Sequence, residues 1–352
     1  MQNAEIFAEI CKAPGGARAI ATMTFDDGLV KTALALSELT EKYNCMASLM
    51  LTTHRLNDET AAMWNELFDK GYLRPESHSH AHMYLNNAHP ENLTEEIITS
   101  EVDYSFDLLK KYFPKYDCLG FAIPYSSYAP QAMKHVKGSC YAVRSGTCVL
   151  AYEHVRGKMQ SLDPTFDGEL GSWYSTLSVR MMGEKAVYKD MLTPENIMGY
   201  LDQCVENEGW FISVAHGIVE GENLDITVQD LGRIMKRMQE LSEQGALWVA
   251  DFSTAVKYIR ERQNTELELI ESQDGALKLK MSMRERTEDG LPLSHDVFNM
   301  PLTVRLELSN RASGVEYTVG GESRTASVVR SGDKAYAYID ILPWEEASAR
   351  IF

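Results

Sequence analysis

The sequence has little that would tie it to a membrane or to a nucleic acid. No run approaches the roughly 20 apolar residues needed to span a bilayer, and the longest basic clusters are the pairs Lys110–Lys111 and Lys236–Arg237. Against 34 Lys and Arg stand 51 Asp and Glu, a net charge of −17. A surface that acidic repels phosphate backbones and anionic headgroups, so neither nucleic acid nor an anionic membrane is expected as a partner. Cysteine is sparse: Cys11, Cys45, Cys118, Cys140, Cys148 and Cys204 show no CxxC spacing, which argues against a structural zinc knuckle and reads as mostly buried thiols. The opening MQNAEIFAEI has neither a basic n-region nor an apolar h-region, so no secretory signal is expected in it. Internal repeats and low-complexity tracts are also missing. What is present, 44% hydrophobic and 24% charged residues over 352 positions, fits an ordinary globular chain of about two domains.

Over the first 264 residues short apolar runs alternate with longer amphipathic stretches, the rhythm of an α/β fold with a parallel sheet or barrel. Strands are predicted at Arg18–Thr24, Met46–Leu51, Cys118–Ile123, Tyr141–Arg144, Trp210–Ala215 and Leu247–Ala250. Helices are predicted at Val30–Tyr43, Asp58–Lys70, Pro194–Glu206 and Thr227–Glu243, with one long helix from Leu93 to Phe113. An irregular stretch near residues 150–190 is long enough to cap a pocket. Residues 265–352 change to period-two alternation with Gly-rich turns, as expected of a small antiparallel β-sandwich. Leu277, Leu279, Met281 and Met283 would face its core, as would Val315, Tyr317 and Val319, and then Tyr336, Tyr338 and, after a slip, Ile341.

Three short segments carry chemistry. The first strand runs into Thr24-Phe25-Asp26-Asp27-Gly28, two adjacent carboxylates at the C-terminal end of a barrel strand, where active sites of such barrels lie. If a metal holds one, the other is free to act as a base; a helix-capping turn would have the same letters. In SHSHAH, His78 and His82 are four residues apart and point the same way from a helical turn or a tight loop. With one carboxylate they make the three-ligand, open-position set of catalytic zinc, although a solvated loop would read alike. The apolar strand Trp210–Ala215 ends in His216, a place for a general acid or for a capping histidine.

Taken together, TFDDG, HSHAH and ISVAH, in this order from about residue 18 to 262, resemble the polysaccharide deacetylases, the carbohydrate esterases that share the NodB homology domain. The resemblance implies a distorted (β/α) barrel over residues 1–264 and, at 265–352, an accessory β-sandwich of the kind that follows many glycan-active enzymes. It implies Asp26 as catalytic base, Asp27, His78 and His82 as ligands of a divalent metal, usually zinc, and His216 as general acid. The stretch Phe121-Ala122-Ile123-Pro124-Tyr125 departs from the family pattern, because Ala122 stands where an arginine normally holds the base. Arg144 or Arg180 could supply that charge from elsewhere. The family's fourth motif, an aspartate and a tryptophan that line the site, is matched to Asp167 and Trp173. Pro124, Tyr125 and Trp173 are the expected substrate contacts.

Three functions are weighed on this basis. The first is removal of acetyl groups from an acetylated oligo- or polysaccharide, N-acetyl ahead of O-acetyl. The second is hydrolysis of a small non-sugar amide, and the third a catalytically weakened glycan-binding relative, for which Ala122 is the main support. Acetylated glycans lie mostly outside the cytoplasm, so a secreted or periplasmic setting is expected from the substrate alone.

Overall fold

The computed structural model describes residues 7–148, 159–167, 169–181, 193–271 and 276–352. The chain divides into two compact units, Arg18–Val256 and a second that joins the N-terminal segment through Ala17 to Lys257–Phe352. The sequence reading placed the division at 264/265 and kept the N-terminus with the barrel.

In the first unit seven parallel strands close on themselves. Ala19–Phe25, Ala47–Leu51, Leu73–Ser77, Gly120–Ala122, Ala142–Cys148, Thr176–Arg180 and Gly209–Ala215 pair in that order, and the last pairs again with the first, Phe25 opposite Ala215. Leu247–Val249 adds outside the closure in parallel with Ala19–Ala21. Gln160–Ser161 pairs antiparallel with Gly209–Trp210. The helices Val30–Tyr43, Asp58–Phe68, Pro194–Glu206 and Val228–Glu243 follow the predicted spans to within two residues.

Strand periodicity sorts the side chains into two sets. Ala19, Ala21, Met23, Phe25, Leu49, Leu51 and Phe211 join one apolar cluster with Leu36, Trp64, Leu109 and Met235 of the helices. The alternate residues face inward and fill the bore. Trp210 Nε1 donates to Thr22 Oγ1 at 3.0 Å, and its ring stacks on Phe252 at 5.6 Å and meets Trp173 edge-on at 6.3 Å. Glu76 also lies inside, fully buried, and accepts from Gly120 N and Ser253 N. Burial pushes its carboxyl well above the usual range. Gly120 is required here, since a Cβ would lie 2.3 Å from Phe252. Continuing this alternation just past the strand ends puts Asp26, His78 and His216 on the inward set, and Arg144 takes it within Ala142–Cys148.

The predicted helix Leu93–Phe113 is two helices, Glu95–Glu101 and Asp103–Tyr112, after a 3-10 turn at Pro90–Asn92. The break has a local cause. The carbonyl of Glu101 accepts from His80 N at 3.0 Å, and Val102 lies at the edge of the helical region, φ −100° and ψ −69°. Part of the proposed capping stretch near 150–190 falls outside the described residues.

The second unit holds two antiparallel sheets. Four strands run in the order Phe7–Ile10, Leu302–Leu308, Lys334–Ile341, Val329–Ser331, and five in the order Thr265–Glu271, Leu277–Met283, Glu346–Ile351, Gly314–Val319, Glu322–Ser327. The expected inward positions hold for Leu277, Leu279, Met281, Val315, Tyr317 and Val319. They do not hold on Lys334–Ile341, where Ala335, Ala337, Ile339 and Ile341 are buried in unbroken alternation and Tyr336 and Tyr338 take the other face. Two alanines make the inward set look weak in sequence, where the larger tyrosines dominate the pattern. Tyr338 lies over Gly16, where φ is +78° and a Cβ would sit 2.3 Å from the ring.

Trp210→Ala would remove a fully buried indole that packs on Phe252 and Trp173 inside the bore. It is expected to cost about 3–5 kcal/mol, read as a lower denaturation midpoint of the barrel transition in urea.

Candidate active site

Asp26 follows the first barrel strand, its amide donating to Ala215 O at 2.9 Å, so two neighbouring strands fix its backbone. Its carboxylate is 6% exposed and accepts from Arg144 Nη2 at 2.6 Å on Oδ1 and 2.7 Å on Oδ2. Of the two arginines named as substitutes for the one missing at Ala122, it is Arg144 that meets Asp26. Ala122 and Arg144 are directly paired on adjacent strands, so the charge reaches the site from one strand further on. Burial alone would raise the Asp26 pKa. The charges of Arg144, His78 and His216 outweigh it and hold the group at about 2.

Asp27 turns away from Asp26 because its backbone is left-handed, φ 71°, a conformation Asp tolerates better than most residues. Its Oδ1 lies 3.6 Å from His78 Nε2 and 3.6 Å from His82 Nε2, and the two histidine nitrogens are 3.1 Å apart. His78 Nδ1 is 2.8 Å from the carbonyl oxygen of Ala122, which sets that nitrogen as the donor and leaves Nε2 with its lone pair toward the cluster. His82 reaches the same point from a tight loop: Ser79 and His82 both have left-handed φ, 65° and 59°, and Ser79 Oγ accepts from His82 N at 3.0 Å. Asp27, His78 and His82 are the one group among the described residues whose ligand atoms converge to within 4.8 Å. An oxygen and two imidazole nitrogens facing one point, with one tautomer already fixed from behind, fit a divalent metal with open positions. Burial lowers the His78 pKa despite the nearby Asp26 charge, so the ring is disposed to the neutral form that ligates.

His216, after the strand Gly209–Ala215, is held by Asp225. Oδ2 of that carboxylate lies 2.7 Å from His216 Nδ1 and accepts from His216 N at 2.9 Å. Arg180 Nη2 donates to Asp225 Oδ1 at 3.1 Å, so Arg180 sides with His216 and not with Asp26. Burial would lower the His216 pKa, but the Asp225 hydrogen bond and the charges of Asp26, Asp225 and Asp27 raise it. The loop between His216 and Asp225 is tied to the helix after Asp27, because Glu222 accepts from Lys31 N and Thr32 N and so caps Val30–Tyr43.

The remaining sequence candidates are placed differently. Pro124 is buried, and Tyr125, at φ 56° and 47% exposed, stands beside His82 with ring centroids 4.7 Å apart and stacks on Tyr84. Trp173 is fully buried in the bore against Trp210 and offers no ring face to solvent. Asp167 closes a local turn, accepting from Thr165 Oγ1 and Glu169 N, and the carboxylate beside the acid is Asp225. Asp225 was missed because it lies in an acidic loop, Val219-Glu220-Gly221-Glu222-Asn223-Leu224-Asp225, where nothing in the spacing separates one carboxylate from the others. The usable signal was chemical: a histidine meant to act as an acid calls for an anionic partner nearby.

Arg144→Met would leave the Asp26 carboxylate buried without its counter-charge. The Asp26 pKa in metal-free protein is expected to rise well above 2, followed by carboxyl-carbon NMR, with a loss of about 3–5 kcal/mol of stability at neutral pH. In the unsubstituted protein the depressed pKa means that this contribution is full above the unfolded value near 4 and is lost as pH falls through about 2.

Residues 14–141 match the family profile described as polysaccharide deacetylase. Among solved structures, a proposed polysaccharide deacetylase from Mycobacterium smegmatis superposes with a TM-score of 0.50 at 12% identity, over 72% of this chain and 94% of that one. A family 4 acetyl xylan esterase from Clostridium thermocellum gives 0.43 at 17% identity, over 67% and 89%. The Xyl-CE4 domain of a multidomain xylanase from the hindgut metagenome of Trinervitermes trinervoides gives 0.43 at 13% identity, over 67% and 88%. No curated protein matches significantly. Residues 14–141 thus match the polysaccharide deacetylase family, and the motifs TFDDG and HSHAH lie within that stretch.

Proposed function

We propose that this protein is a metal-dependent hydrolase that removes acetyl groups from an acetylated glycan, N-acetyl in preference to O-acetyl, with zinc held by Asp27, His78 and His82. The observation that carries the reading is the division of the adjacent aspartates, one locked to Arg144 and the other turned to two histidines. A zinc ion held there would supply Lewis-acid polarisation of a carbonyl oxygen and acidification of water. Asp26, kept ionised by Arg144, accepts the proton that the attacking water gives up. A carboxylate with a pKa near 2 is a weak base by itself, so its role depends on water made acidic at the site. Protonated His216, oriented by Asp225, gives a proton to the departing amine as the carbon–nitrogen bond breaks, leaving acetate and a free amino sugar. Because Arg144 supplies the charge that Ala122 lacks, the glycan-binding relative without turnover loses its main support. The second unit is read as an accessory β-sandwich.

The direct test is acetate release by zinc-loaded protein from N-acetylated and O-acetylated oligosaccharides. Release that Asp26→Asn reduces at least about 10²-fold is expected; no release from any glycan by metal-loaded protein would overturn the reading in favour of a small-amide hydrolase. The acid makes a separate prediction. His216 must be protonated to act, and its raised pKa extends activity toward alkaline pH. Asp225→Asn removes the raising interaction, so the alkaline limb of the kcat/KM profile should move to lower pH.

A further inference from the structure

The loop that delivers His82 is held by a carboxylate belonging to neither the base nor the acid. Glu101 ends the helix Glu95–Glu101 and is 1% exposed. Its Oε1 and Oε2 accept from Ala81 N at 3.0 and 3.1 Å, and Oε2 also accepts from Met83 N at 3.1 Å. Its backbone carbonyl accepts from His80 N at 3.0 Å. Three amides, on both sides of His82, therefore converge on one residue.

The arrangement costs regular structure in two places. The helix breaks after Glu101, where the carbonyl turns to His80, and His82 stands in the left-handed region at φ 59°. A non-glycine residue keeps such a conformation only where its surroundings impose it. The surroundings here are Ser79 Oγ on the His82 amide and Glu101 on the amides either side of it. The conformation they impose is the one that brings His82 Nε2 to 3.1 Å from His78 Nε2 and 3.6 Å from Asp27 Oδ1.

We propose that Glu101 is a positioning residue of the metal site, acting through the backbone of residues 80–83 to hold the His82 imidazole in ligating position. This rests on the metal-binding reading given under Proposed function. The acidic helix end would otherwise be a solvated surface feature; its burial against the three amides is what ties it to the site.

The test is titration of metal-free protein with zinc, by competition against a chelator, in the unsubstituted chain, Glu101→Gln, Glu101→Ala and the control Glu96→Ala, an exposed position on the same helix. Cobalt absorption spectra at saturation report the ligand geometry. Glu101→Ala is expected to bind zinc about 10–100-fold more weakly with an altered cobalt spectrum. Glu101→Gln, which retains one acceptor oxygen, should fall between, and Glu96→Ala should match the unsubstituted protein. If Glu101→Ala does not fold, the affinity and spectrum of Glu101→Gln decide. Unchanged affinity and spectrum in folded Glu101 variants, with zinc bound by the unsubstituted chain, would overturn the proposal alone. No zinc binding by the unsubstituted chain would overturn it together with the metal reading beneath it.

Discussion

The active end of this barrel depends on one buried ion pair, Arg144 with Asp26. Two carboxylates adjacent in sequence repel and compete for the same cations, and nothing in the letters Asp-Asp assigns them different work. Arg144 removes the ambiguity by taking both oxygens of Asp26, while the left-handed backbone at Asp27 swings the second carboxylate toward His78 and His82. The cost of burying the arginine and the aspartate is offset because each neutralises the other in a place water hardly reaches. The pair matters because Asp26 Oδ2 lies only 3.8 Å from His78 Nε2, close to the 3.6 Å of Asp27 Oδ1.

Strand periodicity then explains why distant parts of the chain meet. Asp26, His78 and His216 each continue the inward alternation of a parallel strand just past its C-terminal end, and Arg144 joins them from within the strand Ala142–Cys148, so closure of the sheet converges all four. Outward residues of the same strands pack on the helices and fix the frame. Loops supply the rest: Glu222 ties the loop after His216 to the helix that follows Asp27, and Asp225 orients His216.

Much of this was legible in the sequence, and the failures have physical causes. Asp26, Asp27, His78, His82 and His216 stood out because strand ends and a four-residue histidine spacing are local patterns. Arg144 could be named only as one of two arginines, since its action runs between strands whose neighbours sequence does not give. Glu101 and Asp225 were invisible because a carboxylate that binds backbone amides or a histidine across the fold looks like any other acidic surface residue. Trp173 was read as a sugar platform, and an aromatic side chain in the bore carries the same letter as one on a rim. Lys334–Ile341 misled in the opposite way: alanines line the buried face, and the larger tyrosines drew the assignment.

The central claim is the division of labour between Asp26 and Asp27, and anomalous scattering at the zinc edge from zinc-soaked crystals tests it most directly. The account predicts one strong peak at about 2.0–2.2 Å from Asp27, His78 and His82, with Asp26 still paired to Arg144. A peak ligated by Asp26, or one lying away from both histidines, would contradict it.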